Sequence, residues 1–522
     1  MRYNLAIENE EVRYSTQASQ GSQELIESMS ENLQGPTFAV TTLGCKVNQA
    51  DSEAISDQMN AAGFAQRDFE ESADIYIVNT CTVTHLGDRS SRQLIAQAHR
   101  RHPDALLVVT GCYAELNPKA VSALPGVNLV IGNTIKEGLV STIREKILEQ
   151  ETGESQDITT ASATESSSEP AARRSLPVLP LDTQHIGSDN ALNFQVQEEE
   201  PQADNPALLT PFTDNVQTSE LANHRMFSRT RVQMKVQDGC DNRCTYCIVP
   251  YVRGKSRSRS IEAVVENVQR KARAGYQEIV LTGIHLGDYH PDADEKLDLG
   301  DLIATLLRET EIPRIRVSSL EPEDFQLEWL EMWADPRMCR HLHLPMQSGS
   351  DAILRRMARR YNSDRYRIIV KTAKRLVPGM AISTDIITGF PGETDEDFEL
   401  TYQLAQELEF AKSHVFRFSP RQGTPAARMR DQIKDVVKKA RSQRLLDLHE
   451  EHSRQFREQF LGQEVPVLIE QFKHGKWEGL TDNYIRVEVN ELPENAEGWQ
   501  HTVVKARLNS LIGDGVHGTY AQ

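Results

Sequence analysis

The sequence predicts an α/β protein made of a parallel-sheet domain, an incomplete (βα)6 barrel and a small C-terminal β-barrel, in that order. Three observations predict it. Short apolar runs alternate with helical patterns over residues 37–148, and the alternation returns over residues 226–460. Between these blocks lies a polar stretch with no apolar period. From Glu464 onward the pattern changes to short strands separated by turn residues. At 522 residues the chain also exceeds what one hydrophobic core usually serves.

Taken in order, residues 1–36 read as a flexible tail. Within 37–148 the runs Phe38–Thr42, Ile75–Asn79, Leu106–Thr110 and Val127–Ile131 read as strands, with helices near Asp51–Ala61 and Asp88–His102. Apolar runs joined by helices indicate a parallel sheet, because parallel strands need crossovers and are covered on both faces. Residues 149–225 are rich in Ser, Thr, Glu, Gln and Pro and bury too little to offset ordering entropy, so a disordered acidic linker is expected. Over 226–460 six strands are expected, at Val232–Val236, Glu278–Thr282, Arg314–Ser318, His341–Leu344, Ala381–Thr388 and His414–Phe418. Ile261–Ala274, Asp301–Arg308, Ala352–Arg359 and Asp395–Glu409 read as helices between them. A barrel of this kind carries its site at the C-terminal ends of its strands. In 461–522 the runs VPVLIE, GKWEGLTDN, YIRVEVN and HTVVKARL suit a small β-barrel of the oligonucleotide-binding type, and suit any small antiparallel sheet nearly as well.

Composition sets outer bounds. Hydrophobic residues at 39% and charged residues at 26% are ordinary for a soluble protein. No apolar run approaches the roughly 18 residues that span a bilayer, and MRYNLAIENEEVRYSTQ lacks the order of a signal peptide, so a cytoplasmic protein without a membrane partner is expected. A net charge of −18 argues at first against a nucleic-acid partner. Its distribution reverses that. Residues 151–220 hold 13 acidic and 2 basic side chains and residues 1–36 hold 6 and 2, which leaves a net of only −3 on the remainder.

Seven cysteines in so long a chain are not a disulfide framework and are read by spacing. QDGCDNRCTYCIVPYVRGKSRSR places Cys240, Cys244 and Cys247 in a C-x3-C-x2-C run directly after a predicted strand. A 4Fe-4S cluster takes four ligands, so three thiolates leave one iron open. A structural zinc site is the alternative, and it needs a fourth ligand that does not stand close by in sequence. Cys45, Cys81 and Cys112 lie too far apart for a local motif, yet each follows a predicted strand by two or three residues, in TFAVTTLGC, DIYIVNTC and LLVVTGC. Parallel strand ends share one edge, where the three thiols can meet. Buried cysteines acting as small hydrophobes are the alternative. Their places beside Gly44 and Gly111 and between Thr80 and Thr82 are loop positions rather than apolar runs. Cys339 is expected to be an inert buried thiol.

The run around Cys240 resembles the signature of the radical S-adenosylmethionine superfamily, C-x3-C-aromatic-C, with Tyr246 as the aromatic. The resemblance implies that the open iron chelates S-adenosylmethionine and that electron transfer cleaves it to a 5'-deoxyadenosyl radical. It further implies cofactor contacts from Thr282 and Gly283 in LTG, Ser319 and Glu321 in SSLE, and Gly389 in IITGFPGE, although the last also suits a tight turn. Two three-cysteine groups, a parallel α/β domain, a radical barrel and a small β-domain together resemble the methylthiotransferases, over Thr37–Leu148 and from Met226 onward. TLGCKVNQ at Thr42–Gln49 and NTCTVT at Asn79–Thr84 look like the branch acting on N6-threonylcarbamoyladenosine at position 37 of tRNA. The isopentenyladenosine branch usually has Gln-Met in place of Lys46-Val47, and the ribosomal-protein branch has Pro-Lys. The resemblance implies two 4Fe-4S clusters, with Cys45, Cys81 and Cys112 holding the sulfur-carrying one and Cys240, Cys244 and Cys247 the other. S-adenosylmethionine is then both methyl donor and radical source. It also implies tRNA and an electron donor such as flavodoxin or ferredoxin as partners, and a monomer. The alternatives are methylthiolation of isopentenyladenosine tRNA or of a ribosomal protein, and a non-enzymatic metal-containing RNA-binding protein, which leaves the open coordination position unexplained.

Arg253, Lys255, Arg257 and Arg259 in VRGKSRSR read as contacts to tRNA phosphates, against a solvated loop face. Arg355, Arg356, Arg359 and Arg360 form a second basic run. The C-terminal domain resembles the TRAM module, with Lys473, Lys476, Trp477 and Arg486 available for phosphate and stacking contacts. His343 in HLHLPMQSGS is expected to position rather than to act as a base, since a radical route needs no strong base at adenine.

Overall fold

The computed structural model describes residues 35–152, 230–291, 296–490, 492 and 498–521; the expected tail and nearly all of the expected linker lie outside the described residues. Five parallel strands come first: β1 (Thr37–Thr42), β2 (Ala65–Gln66), β3 (Ile75–Thr80), β4 (Leu106–Gly111) and β5 (Val127–Ile131), ordered β2-β1-β3-β4-β5. Every residue of β3 and β4 is buried. Alternate side chains explain this. Ile75, Ile77, Leu106 and Val108 pack with Ile55, Met59 and Ile143 on one face, whereas Tyr76, Val78, Leu107 and Val109 pack with Ile95 and Ala98 on the other. The first helix spans Lys46–Ala61, starting directly after Cys45 and five residues earlier than the apolar period suggests. A helix over Leu139–Thr152 was not legible and runs into the range read as linker.

The next block opens on β6 (Arg231–Lys235), a short antiparallel pair β7 (Gln237–Asp238) and β8 (Arg257–Ser258), then β9 (Glu278–Thr282), β10 (Arg314–Val317), β11 (His341–His343), β12 (Ala381–Thr388) and β13 (Lys412–Arg417). β6, β9 and β10 form one parallel set and β11, β12 and β13 another. Parallel bridges Ile315–Met338 and Ser319–His343 join them into the expected arc of six. Ile279, Leu281, Ile315, Val317, Leu342, Ile382 and Ile386 enter one core with the surrounding helices, so the alternate side chains on these strands point into the lumen.

β14 (Glu464–Lys473), β15 (Lys476–Thr481), β16 (Arg486–Asn490), β17 (Val503–Ile512) and β18 (Gly515–Ala521) close into a barrel ordered β14-β15-β16-β18-β17. This decides between the two arrangements the sequence allows. The β15–β16 turn plugs the base of the large barrel: Arg316 Nη1 donates to the Asp482 carbonyl at 2.7 Å, Arg340 pairs with Asp482 at 2.6 Å, and the Tyr484 ring lies 4.0 Å from the Arg316 guanidinium. Arg316 is itself paired with Glu278 at 2.7 Å, with both side chains fully buried. Among the described residues no helix is long and apolar enough to cross a membrane.

Candidate active site

β1, β3 and β4 are neighbours in the sheet, so their C-terminal ends deliver Cys45, Cys81 and Cys112 to one edge. Two glycines make the approach possible. Gly44 has φ of +104°, and a Cβ there would sit 2.9 Å from Cys81 Sγ; Gly111 has φ of +97°, and a Cβ would lie 2.4 Å from the Thr80 carbonyl oxygen. Cys45 is exposed and occupies the N-cap of the first helix without a side-chain cap bond. Ser91 holds the Cys81 backbone by accepting from its N–H at 3.2 Å and donating to its carbonyl at 3.0 Å. Asn133 donates to Cys112 Sγ at 3.5 Å. Burial pushes the Cys81 thiol up, and the nearness of Cys112 and Cys45 adds to the rise.

The second trio sits on the loop that follows β6 and β7. Arg359 Nη1 donates to Cys244 Sγ at 3.2 Å and pairs with Glu321 and, at 3.3 Å, with Glu323. His285 bonds Asp324 at 2.6 Å, and Cys240 stands near enough to act on it electrostatically. Burial would lower His285, but these two partners push it up to about 10. Burial pushes Cys247 up to about 12. Neither trio brings its three sulfur atoms all within 4.8 Å of one another.

The residues expected to contact the cofactor lie at the matching strand ends, with unequal freedom. Thr282 is fully buried and its Oγ1 has no hydrogen-bond partner among the described residues. Gly283 packs on Gln237, where a Cβ would meet Oε1 at 2.9 Å. Tyr246 packs edge-on to Phe390 with ring centroids 6.4 Å apart. Ser319 is exposed, and Glu321 is engaged by Arg359. Gly389 has φ of +69°, donates its N–H to Glu393 at 3.0 Å and packs on Lys438, which accounts for it as a tight turn.

The loop that carries the second trio meets the edge that carries the first. Ile248 and Val252, just beyond Cys247, pack directly on Cys112. Between them lies Arg253, which pairs with Asp238 and Asp51 at 3.1 Å each and with Asn48. Lys235 joins this network at 2.5 Å from Asp51 and 3.1 Å from Asp238, and Lys136 reaches Asp51 at 3.0 Å. On the other side Arg421 pairs with Asp88 at 2.6 Å and bonds Thr82, next to Cys81. Two sequence assignments are corrected here. Arg253 is 2% exposed and Arg359 8% exposed, so neither is free to meet a phosphate; each is committed to carboxylates beside a thiol group. Lys255, Arg355 and Arg360 stay exposed, as do Lys473 and Arg486. Phe472, 60% exposed and 5.0 Å from Trp477 between ring centroids, escaped the sequence reading. Cys339 lies in the core, 1% exposed, and burial pushes its thiol up to about 12.

Comparison with known proteins agrees with this layout. Residues 234–405 match the Radical SAM superfamily, and residues 37–132 match Uncharacterized protein family UPF0004. The class defined by barrel and site is therefore that of radical S-adenosylmethionine enzymes, with S-adenosylmethionine and a 4Fe-4S cluster as cofactors. The chain is 38% identical over 458 residues to the Threonylcarbamoyladenosine tRNA methylthiotransferase MtaB of Bacillus subtilis, covering 86% of this chain and 90% of that one. It is 34% identical to the protein of the same name from Thermotoga maritima, covering 92% and 96%. Identity is 32% to the tRNA-2-methylthio-N(6)-dimethylallyladenosine synthase of Pelotomaculum thermopropionicum, covering 83% and 86%. The chain belongs to the radical S-adenosylmethionine methylthiotransferase family.

Proposed function

We propose that this enzyme adds a methylthio group to C2 of N6-threonylcarbamoyladenosine at position 37 of tRNA. The observation that supports the reaction type is the packing of Cys112 on Ile248 and Val252, which brings the first trio's edge against the segment that follows Cys247. The relatives named for threonylcarbamoyladenosine support the substrate, being more alike in sequence than the dimethylallyladenosine enzyme cited above.

In this reading Cys240, Cys244 and Cys247 would hold the barrel cluster, and Cys45, Cys81 and Cys112 a second one. The donor sets fit. Each trio offers three thiol donors, the number that leaves one iron of a 4Fe-4S cluster open. When bound, these groups supply one-electron cleavage of S-adenosylmethionine and the sulfur to be inserted. The protein's own residues bind, orient and enclose. Arg359 holds Cys244, the His285–Asp324 pair holds Cys240, and the unpartnered Thr282 hydroxyl is left for S-adenosylmethionine. Arg253 and Arg421 keep the two thiol edges in register. Lys255, Lys473 and the Phe472–Trp477 pair are left for tRNA. The enzyme would act as a cytoplasmic monomer with flavodoxin or ferredoxin as electron donor.

Nucleoside mass spectrometry of tRNA from a deletion strain tests the substrate. Loss of 2-methylthio-N6-threonylcarbamoyladenosine is expected; its persistence, with no second enzyme present, would overturn the assignment. Anaerobic iron and sulfide analysis tests the cofactors, and zinc without iron would contradict them.

A further inference from the structure

Strands β11, β12 and β13 place a strip of polar side chains on the lumen face. His343 stands opposite Ser383, Ser383 opposite Lys412, and Asp385 opposite His414. Residues two apart share a face of a strand, so these five lie together while Leu342, Ile382 and Ile386 enter the core. His343 Nε2 is 3.4 Å from Asp385 Oδ2, and the His343 and His414 ring centroids are 6.0 Å apart. One polar atom from each of His343, Asp385 and His414 lies within 4.8 Å of the other two. Ser383 Oγ bonds His343 Nδ1 at 2.9 Å, which leaves Nε2 turned to Asp385.

Two imidazoles and a carboxylate are also a metal-ligand set, but the surrounding charge argues against a cation. Lys412 shares the strip, and Lys46, at the start of the first helix, adds a positive charge that acts on both His341 and His414. Burial lowers His414; Asp385 opposes this, and the charges of His343, Lys412 and Lys46 lower it further. Neither Lys46 nor Lys412 forms an ion pair with a described residue, although Lys46 is half-buried. The strip therefore combines uncompensated ammonium groups with one carboxylate acceptor and imidazoles.

We propose that Lys46 and the His343–Asp385–His414 strip recognise the amino-acid arm on N6 of the substrate adenine, with the ammonium groups meeting its carboxylate and Asp385 accepting from its N–H and O–H groups. This rests on the threonylcarbamoyladenosine reading and names the residues behind it. A hydrocarbon arm would desolvate Lys46 without a counter-charge and leave Asp385 with imidazole partners alone. Sites built on hydrogen bonds reject analogues lacking them far better than apolar pockets reject a surplus group.

The test measures, under anaerobic conditions with the reconstituted holoenzyme, the affinity for anticodon stem-loop RNA carrying threonylcarbamoyladenosine, unmodified adenosine or isopentenyladenosine. The wild type is expected to prefer the threonylcarbamoyl RNA by about tenfold or more, near 1.4 kcal/mol. Lys46→Gln, Lys412→Gln and Asp385→Asn, compared at wild-type iron content, are each expected to shrink that preference to a few-fold and to raise KM for the threonylcarbamoyl RNA. The substitutions on β12 and β13 keep the test decisive should Lys46→Gln disturb the adjacent Cys45. An undiminished preference in all three variants, or no preference in the wild type, overturns the inference while methylthiolation of threonylcarbamoyladenosine still stands. Turnover of the isopentenyl RNA alone would overturn both.

Discussion

Replacing Arg253 with Met tests how the two thiol groups are held in register. The guanidinium is 1% exposed in its side chain and sits between Asp51 and Asp238 at 3.1 Å each. Removing one member of a buried ion pair costs about 3–5 kcal/mol, because the remaining charge stays desolvated. Here the survivors keep partners: Asp51 retains Lys235 and Lys136, and Asp238 retains Lys235 at 3.1 Å and Arg257 at 3.8 Å. The lower end, about 3 kcal/mol, is therefore expected. At about 2–4 °C per kcal/mol for a domain of this size, the melting transition should fall by roughly 6–12 °C. Differential scanning calorimetry of the reconstituted protein measures the shift, and methylthiolation should fall further than S-adenosylmethionine cleavage. Adding Asp238→Asn to Arg253→Met should cost less than the sum of the single changes, since both act on one pair. A shift below about 1 °C with full methylthiolation would refute the assignment of Arg253 as the interface staple.

Cys81→Ala should leave reductive cleavage of S-adenosylmethionine largely intact while abolishing sulfur insertion, whereas Cys244→Ala should abolish both; equal loss of cleavage in the two would count against separate roles. Gly44→Ala should cost a large part of the bound iron, because its Cβ would meet Cys81 Sγ at 2.9 Å on a backbone with φ of +104°, and iron analysis at wild-type level would contradict this. The docked C-terminal barrel should weaken in acid. Burial raises Glu278 and Asp482, but Arg316 and Arg340 outweigh it and hold both below the carboxylate range. Groups more acidic when folded contribute fully above their unfolded pKa near about 4 and lose that contribution as pH falls through the lower folded value. The contribution of these pairs, read as the difference in thermal unfolding between the wild type and Asp482→Asn, should therefore be steady from neutral pH down to about 5 and drop steeply below about 4; no change in that difference across the range would show that these pairs do not hold the plug.

The convergence of Cys45, Cys81 and Cys112 on one sheet edge was legible because each follows an apolar run that ends as a strand, and because β1, β3 and β4 are adjacent. The helix Asp435–Glu458 was not legible: it buries Lys438, Arg441, Ser442 and His452 beside only two leucines, so no apolar stripe marks it. β18 escaped because Gly515 and Gly518 interrupt its strand pattern and its partner β16 runs parallel to it. Arg253 and Arg359 were misread because a basic run looks solvated by local pattern, whereas their burial is decided by Asp51 and Glu321, far away in sequence. The lumen strip depends on strand register, which no single segment encodes.

The decisive measurement incubates the reconstituted holoenzyme with S-adenosylmethionine, a low-potential reductant and tRNA bearing N6-threonylcarbamoyladenosine, and analyses the nucleosides by mass spectrometry. The account predicts the 2-methylthio nucleoside from the wild type, and 5'-deoxyadenosine without that nucleoside from Cys81→Ala. Product from the Cys81→Ala enzyme, or product on isopentenyladenosine tRNA alone, would contradict it.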